Sequence, residues 1–162
     1  MSDEAVTKAK TSPLDFIAEH RRRYIDSGGT DGHIIDLGPV GGLGFTTHLL
    51  IETVGRKSGA RRVTTLIYAI VAGEVVVIAS KGGADVHPAW YLNLVESPEV
   101  RFQIGTQAFR GSWREPADAE REAVWAIMER NYPPYDDYRK ATGRRIPVVM
   151  MTAIAPIDLL KD

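Results

Sequence analysis

The feature that most constrains this chain is a series of short apolar runs, rich in Val, Ile, Leu and Thr, separated by glycine-bearing turns. They fall at residues 47–54, 62–72, 74–79, 100–104, 107–113 and 146–152. Runs of this length and texture read as strands. Ala72-Gly73 leaves room for only a tight hairpin between two of them, and Gly105 sits between another pair. Strands joined so closely pair antiparallel, because a parallel pair needs a crossover of about a dozen residues or more. Helical patterns flank these strands instead of alternating with each one. The expected class is therefore α+β, with about six mainly antiparallel strands and helices outside them, an arrangement that suits a small barrel.

The helices carry their own punctuation. Ser12-Pro13-Leu14-Asp15 supplies an N-cap, a proline for the first turn and an acid three residues after the cap. Leu14, Ile17, Ala18, Tyr24 and Ile25 then recur at helical spacing until Gly28-Gly29. Residues 28–44 hold seven glycines and read as loop. A short helix is expected at 89–95 and a long one at 116–130, with Val124, Ile127 and Met128 inward. Pro133-Pro134 breaks the long helix, and another short one follows. No repeat or linker divides the chain, so it reads as one domain: a leading helix and Gly-rich loop at 1–45, then a strand-rich unit at 46–155.

Composition removes several classes of function. Twenty Lys and Arg balance 21 Asp and Glu for a net charge of −1, which argues against a nucleic-acid binder. The absence of cysteine removes disulfides, thiolate metal sites and cysteine nucleophiles. His20, His33, His48 and His87 lack ligand spacing, so no metal is expected. No run is long and apolar enough to span a membrane, and residues 1–10 are polar without a signal-peptide core. The expectation is a cytoplasmic protein. Arg21-Arg22-Arg23 on the first helix leaves open a peripheral contact with the inner membrane face.

Neither nucleotide-binding glycine loop is present, and nothing resembles a nucleophile elbow. Any chemistry is expected to come from a bound cofactor. Three segments could serve one. Gly55-Arg56-Lys57-Ser58-Gly59, followed by Arg62, presents cations and a hydroxyl on a turn whose glycines allow close approach of a phosphate. The alternative is a basic hairpin tip that only confers solubility. Ser80-Lys81-Gly82-Gly83 runs from a strand end towards the helix containing Ala89 and Trp90, displaying backbone donors. The alternative there is an ordinary connection with Trp90 in the core. Tyr132, Tyr135 and Tyr138 concentrate amphipathic rings that could wall an aromatic acceptor or simply pack.

Together, Thr53-Val54-Gly55-Arg56-Lys57-Ser58-Gly59, Arg62-Val63-Thr64, Ser80-Lys81-Gly82-Gly83-Ala84 and His87-Pro88-Ala89-Trp90-Tyr91-Leu92-Asn93-Leu94 closely resemble the deazaflavin-dependent nitroreductase family of actinobacteria. Tyr132-Pro133-Pro134-Tyr135-Asp136-Asp137-Tyr138 and Arg145-Ile146-Pro147-Val148-Val149 resemble its C-terminal signature. The resemblance covers residues 46–152. It implies a split β-barrel that binds coenzyme F420, an 8-hydroxy-5-deazaflavin with a lactyl-phosphate and polyglutamate tail. It also implies hydride transfer from the reduced coenzyme to a quinone, nitroaromatic or activated alkene. By that resemblance Arg56, Lys57, Ser58, Gly59 and Arg62 would hold the phosphate and tail. Val63, Thr64 and Thr65 would lie along the ring, although the family often has Pro where Thr65 stands. Ala79, Ser80, Lys81, Gly82, Ala89 and Trp90 would complete the coenzyme site. Tyr68, Ser80, Tyr132, Tyr135 and Tyr138 would face the reacting edge and the acceptor. A flavin mononucleotide reductase and a non-catalytic deazaflavin binder are the alternatives.

Overall fold

The computed structural model describes residues 12–162. The polar opening stretch, residues 1–10, lies outside them. Helix α1 (Pro13–Asp26) starts as its sequence dictates: Ser12 Oγ accepts the Asp15 N–H at 3.1 Å, and proline fills the first turn. The expected face is buried only at its C-terminal end, where Tyr24 is fully buried and Ile25 packs beside it. Leu14 and Ile17 are 79% and 52% exposed, whereas His20 and Tyr24 are buried. The glycine-rich stretch that follows is not loop throughout. It contains β1 (Ile34–Asp36), paired with β2, and a 3₁₀ turn at Gly38–Val40.

Strand β2 (Phe45–Val54) organises the sheet. One edge pairs with β3 (Arg61–Ile67), and the other takes β1 and then β6 (Glu99–Ile104). The run expected as one strand at 62–72 is divided at Tyr68. There the Tyr68 N–H donates to the Thr47 carbonyl and Thr47 Oγ1 donates to the Tyr68 carbonyl, both at 3.2 Å. Beyond that point the chain turns away as β4 (Ala69–Val71) and pairs with β5 (Glu74–Ile78). Ala72 (φ 51°) and Gly73 (φ 84°) form their two-residue link in the left-handed region, as a tight hairpin requires.

With β7 (Gln107–Arg114) and β8 (Val148–Ile157), the strand order is β1-β2-β6-β7-β8-β5-β4, antiparallel at every pairing. β3 flanks β2 but runs directly into β4 at the far end of that order. The sheet therefore curls back on itself as a split barrel with eight strands, two more than expected. Helices α2 (Ala89–Leu94), α3 (Asp118–Asn131) and α4 (Pro134–Ala141) complete the α+β fold.

Period-two alternation distributes the core. Val75 and Val77 join Leu49, Ile51, Phe102 and Met151 in one cluster, covered by Trp90 and Leu94 from α2. Val76 and Ile78 face the other way, onto Trp125 and Met128 of α3. Helix α1 docks through Tyr24 against Leu50, Val63 and Leu160. The Tyr24 hydroxyl donates to the His48 carbonyl at 2.9 Å and accepts the Gly105 N–H at 2.8 Å.

Under α1 the fold brings together histidines that are distant in sequence. The His20 and His48 rings meet edge to face with centroids 4.8 Å apart. His20 Nε2 donates to the Gly32 carbonyl, and His48 Nε2 bonds the Thr46 hydroxyl, each at 2.7 Å. His48 Nδ1 is buried without a partner among the described residues. No group of three or more His, Cys, Asp or Glu among those residues is placed to hold a metal ion.

Burial, followed by the charges of His20 and His33, pushes the His48 imidazole down from 6.5 to about 3. Because the folded value lies below the unfolded one, the unfolded chain takes up a proton first as pH falls through 6.5. Stability is then lost progressively towards pH 3. At pH 5 the loss is about 2 kcal/mol from this group alone. Urea unfolding at pH 7 and pH 5 should show a drop larger by about that amount in the wild type than in His48→Gln. Equal drops would refute the assignment.

Candidate active site

The turn between β2 and β3 is closed by its own backbone. The Gly55 N–H donates to the Ala60 carbonyl at 2.7 Å and the Gly59 N–H to the Gly55 carbonyl at 2.8 Å. Ser58 Oγ accepts the Ala60 N–H at 3.1 Å. A side chain at position 55 would place its Cβ 2.6 Å from that oxygen, so it would displace the Ser58 hydroxyl from its bond in the turn. The turn is fastened to α2 by Asn93, which is buried. Asn93 Oδ1 accepts from both the backbone N–H and Nη1 of Arg56 at 3.1 Å, and its Nδ2 donates to Thr53 Oγ1 at 3.3 Å.

Between this turn, one face of β3 and α2 lies a cleft of about 380 Å³. Of the residues expected from the sequence, Arg56, Lys57, Ser58, Arg62, Thr64 and Trp90 line it, together with Ala89. Gly59 closes the same turn. Strand alternation decides which β3 residues reach the cleft: Arg62 and Thr64 do. Val63 does not, and this corrects the expectation. Its side chain is buried under α1 with Tyr24 and Leu50, and Thr65 shares its face of the strand. Asn93 and Thr53 are lining residues that the sequence reading missed as part of the site.

The charges around the cleft are unequally compensated. Arg61, next to Arg62 on the strand, donates to the buried carboxylate of Glu52 at 2.8 Å. Lys57 and Arg62 make no ion pair or hydrogen bond with any described residue. The expected cluster on α1 is compensated in full: Arg21 pairs with Asp162, Arg22 with Glu19 and Asp26, and Arg23 with Asp31. The idea that those arginines form a free cationic patch is therefore corrected. No helix among the described residues is long and apolar enough to cross a membrane.

The second expected segment lies apart from this lining. Lys81 (φ 46°), Gly82 (φ 63°) and Gly83 (φ 86°) are consecutive left-handed residues, and Lys81 is strained because it carries a side chain. Gly83 lets this loop pack on α4, where a Cβ would come 3.0 Å from the Tyr138 Cα. Lys81 and Gly82 are exposed, Ser80 is buried, and the Ser80 hydroxyl has no hydrogen bond with any described residue. Ala79 is fully buried in the barrel cluster, so only its backbone is available.

The tyrosines need a larger correction. Tyr132 and Tyr135 are each 4% exposed and pack with Trp125, Met128 and Ile146 in the α3 core. Their rings meet edge to face at 5.3 Å, and Tyr135 meets Tyr138 at 6.2 Å. The break at Pro133-Pro134 turns both inner rings against the sheet. Tyr138 alone of the three is half-buried, and burial pushes its hydroxyl up to about 12. Tyr68 is buried where β3 ends, with its hydroxyl 2.6 Å from His33 Nε2, and does not line the cleft.

The sequence and the fold are shared with known proteins. Residues 17–153 match the family described as F420H(2)-dependent quinone reductase. An F420H(2)-dependent quinone reductase of Mycobacterium tuberculosis is 34% identical over 142 residues, covering 86% of this chain and 91% of that protein. The solved F420-H2 Dependent Reductase (FDR-A) is 37% identical with a TM-score of 0.59, covering 65% of this chain and 93% of its own. A solved domain-swapped dimer is 34% identical with a TM-score of 0.62, covering 86% and 99%. The chain belongs to the F420H(2)-dependent quinone reductase family.

Proposed function

We propose that this protein is an oxidoreductase that uses reduced coenzyme F420 to reduce a quinone, with the coenzyme phosphate held at the 55–59 turn. The observation that carries the reading is the pair Lys57 and Arg62, without an ion-pair partner among the described residues, on a cleft that also has an apolar wall, Ala89 and Trp90. The donor set fits the coenzyme. Charge-assisted bonds from Lys57, Arg62 and Arg56 suit a phosphate, and the Ser58 proton is free to join them because Oγ only accepts within the turn. Thr64, Ala89 and Trp90 then bound the flat ring.

When bound, the reduced deazaflavin supplies a hydride to the acceptor. The remaining tasks fall to the chain: orienting the two partners, excluding water and stabilising the negative charge that develops on the acceptor oxygen. The Ser80 hydroxyl, unpartnered among the described residues, and the hydroxyl of the half-buried Tyr138 are the candidate donors. The Tyr68 hydroxyl is engaged with His33 Nε2 at 2.6 Å. Nitroaromatics and activated alkenes are flat, electron-poor acceptors of the same kind. A peripheral contact with the inner membrane face, giving access to a lipid quinone, would rest on the exposed apolar Leu14, Ile17 and Phe45, since the arginines of α1 are paired. Vesicle flotation detects or excludes it.

Fluorescence titration of the coenzyme should show Lys57→Ala binding about tenfold more weakly, as expected for the loss of one charged contact. Arg61→Ala, whose partner is Glu52, should bind like the wild type. Equal affinity in Lys57→Ala and the wild type would remove the phosphate from this turn.

The tyrosines should separate by burial. Tyr135→Ala should lower stability by about 3–5 kcal/mol in urea unfolding, as large aromatic truncations in cores do. Tyr138→Phe should keep its stability and its coenzyme affinity while kcat/KM for menadione falls. Native kcat/KM in Tyr138→Phe would exclude that hydroxyl as a donor.

A further inference from the structure

Away from the coenzyme cleft, the first turn of α3, the end of α4 and the segment leading into β8 enclose a second cleft of about 350 Å³. Its charged lining is Arg121, Arg139, Arg144 and Arg145, with Asp118 and Glu122. Four guanidinium groups thus face two carboxylates.

The four arginines are held very differently. Arg139 Nη2 donates to both oxygens of Glu122 at 2.7 Å. Arg144 is committed to the neighbouring loop, donating Nε to the Ala84 carbonyl at 2.7 Å and Nη2 to the Ser80 carbonyl at 2.8 Å, with Nη1 3.0 Å from His87 Nδ1. Arg145 is exposed and makes no hydrogen bond or ion pair with any described residue.

Arg121 is the anomaly. Its side chain is only 8% exposed, yet it makes no hydrogen bond with any described residue. The nearest carboxylate oxygen, Glu122 Oε2, is 4.0 Å from its Nε and is already bound to Arg139. The Trp125 ring, 5.6 Å from the guanidinium carbon, offers a π face but no acceptor for five N–H donors. Burial and the charges of Arg145 and Arg139 all disfavour the cation. A mostly buried guanidinium whose N–H groups reach solvent without a protein hydrogen-bond acceptor can take an anion that enters the cleft.

One further feature favours an anion. Asp118 and Ala119, at the positive end of the 14-residue helix α3, line the cleft, and the N-cap Ala117 offers no side-chain acceptor to the first-turn N–H groups.

We infer that this cleft is an oxyanion site, distinct from the coenzyme turn, in which Arg121 and Arg145 bind a phosphate or carboxylate group. Planar guanidinium forks match both anions in bidentate geometry. The group would come either from a free phosphorylated or carboxylated small molecule or from the acidic tail of the coenzyme. The site itself does not depend on the coenzyme reading.

The test is calorimetric titration with inorganic phosphate, at ionic strength held constant with chloride, in a Lys57→Ala/Arg62→Ala chain that removes the free cations of the other cleft. Saturable binding is expected to persist there and to weaken about tenfold or more when Arg145→Gln is added. Arg145 is exposed, so the fold should tolerate that change. Arg121→Gln should do the same if it folds. Absence of saturable binding in the Lys57→Ala/Arg62→Ala chain, or binding that Arg145→Gln leaves unchanged, would overturn the inference. The source is read from coenzyme titration of Arg145→Gln alone: unchanged affinity assigns the site to a free anion, and weakened affinity assigns it to the coenzyme tail. Failure of the coenzyme reading would appear separately, as unchanged coenzyme affinity in Lys57→Ala.

Discussion

The Asn93 carboxamide is the contact on which the arrangement of the cleft depends. Its oxygen takes two donors from Arg56 and its nitrogen reaches Thr53, so one buried side chain joins α2 to both the strand end and the turn. Without it, the 55–59 turn would be an exposed hairpin tip held only by its own backbone. With it, the turn stands opposite Ala89 and Trp90 at a fixed distance, and a cleft exists. Trp90 is itself fixed because its ring caps the barrel core. The functional surface is therefore an extension of core packing, with little independent freedom.

Charge compensation sorts the rest of the surface. Arg21, Arg22, Arg23, Arg61, Arg110, Arg114 and Arg139 each have a carboxylate partner. Exposed pairs of this kind add roughly 0–1 kcal/mol each, so their main effect is to neutralise the surface. Among the described residues, Lys57 and Arg62 in one cleft and Arg145 in the other have no carboxylate partner, and Arg121 has only Glu122 at 4.0 Å. Proximity to an acid, more than the density of basic residues in sequence, separates these groups from the triple arginine of α1.

Much of this was legible in the sequence because it is local. The Ser12 cap, the Ala72-Gly73 hairpin and the glycine-bracketed basic turn each depend on residues only a few positions apart. What was not legible depends on partners across the fold. The break at Tyr68 is set by Thr47 on the neighbouring strand. The role of Asn93 is set by a turn nearly 40 residues away. Tyr132 and Tyr135 read equally well as an open wall or as core, and only the way α4 folds back onto α3 decides for core. Arg121 reads as an ordinary helix-surface arginine until α4 and the 144–146 segment close over it. The inward direction of Val63 was available from strand alternation once Arg62 was placed outward.

The account turns on whether the phosphate end of the coenzyme is what the 55–59 turn recognises. The direct measurement compares the affinity of the wild-type chain for coenzyme F420 with that for the same 8-hydroxy-5-deazaflavin lacking the lactyl-phosphate and tail, each followed by fluorescence titration. Two charged contacts at roughly 1.5–3 kcal/mol each predict a preference for the full coenzyme of about a hundredfold or more. That preference should largely collapse in Lys57→Ala/Arg62→Ala. Equal affinity of the wild type for both compounds, or a preference that survives the double substitution, would contradict the account.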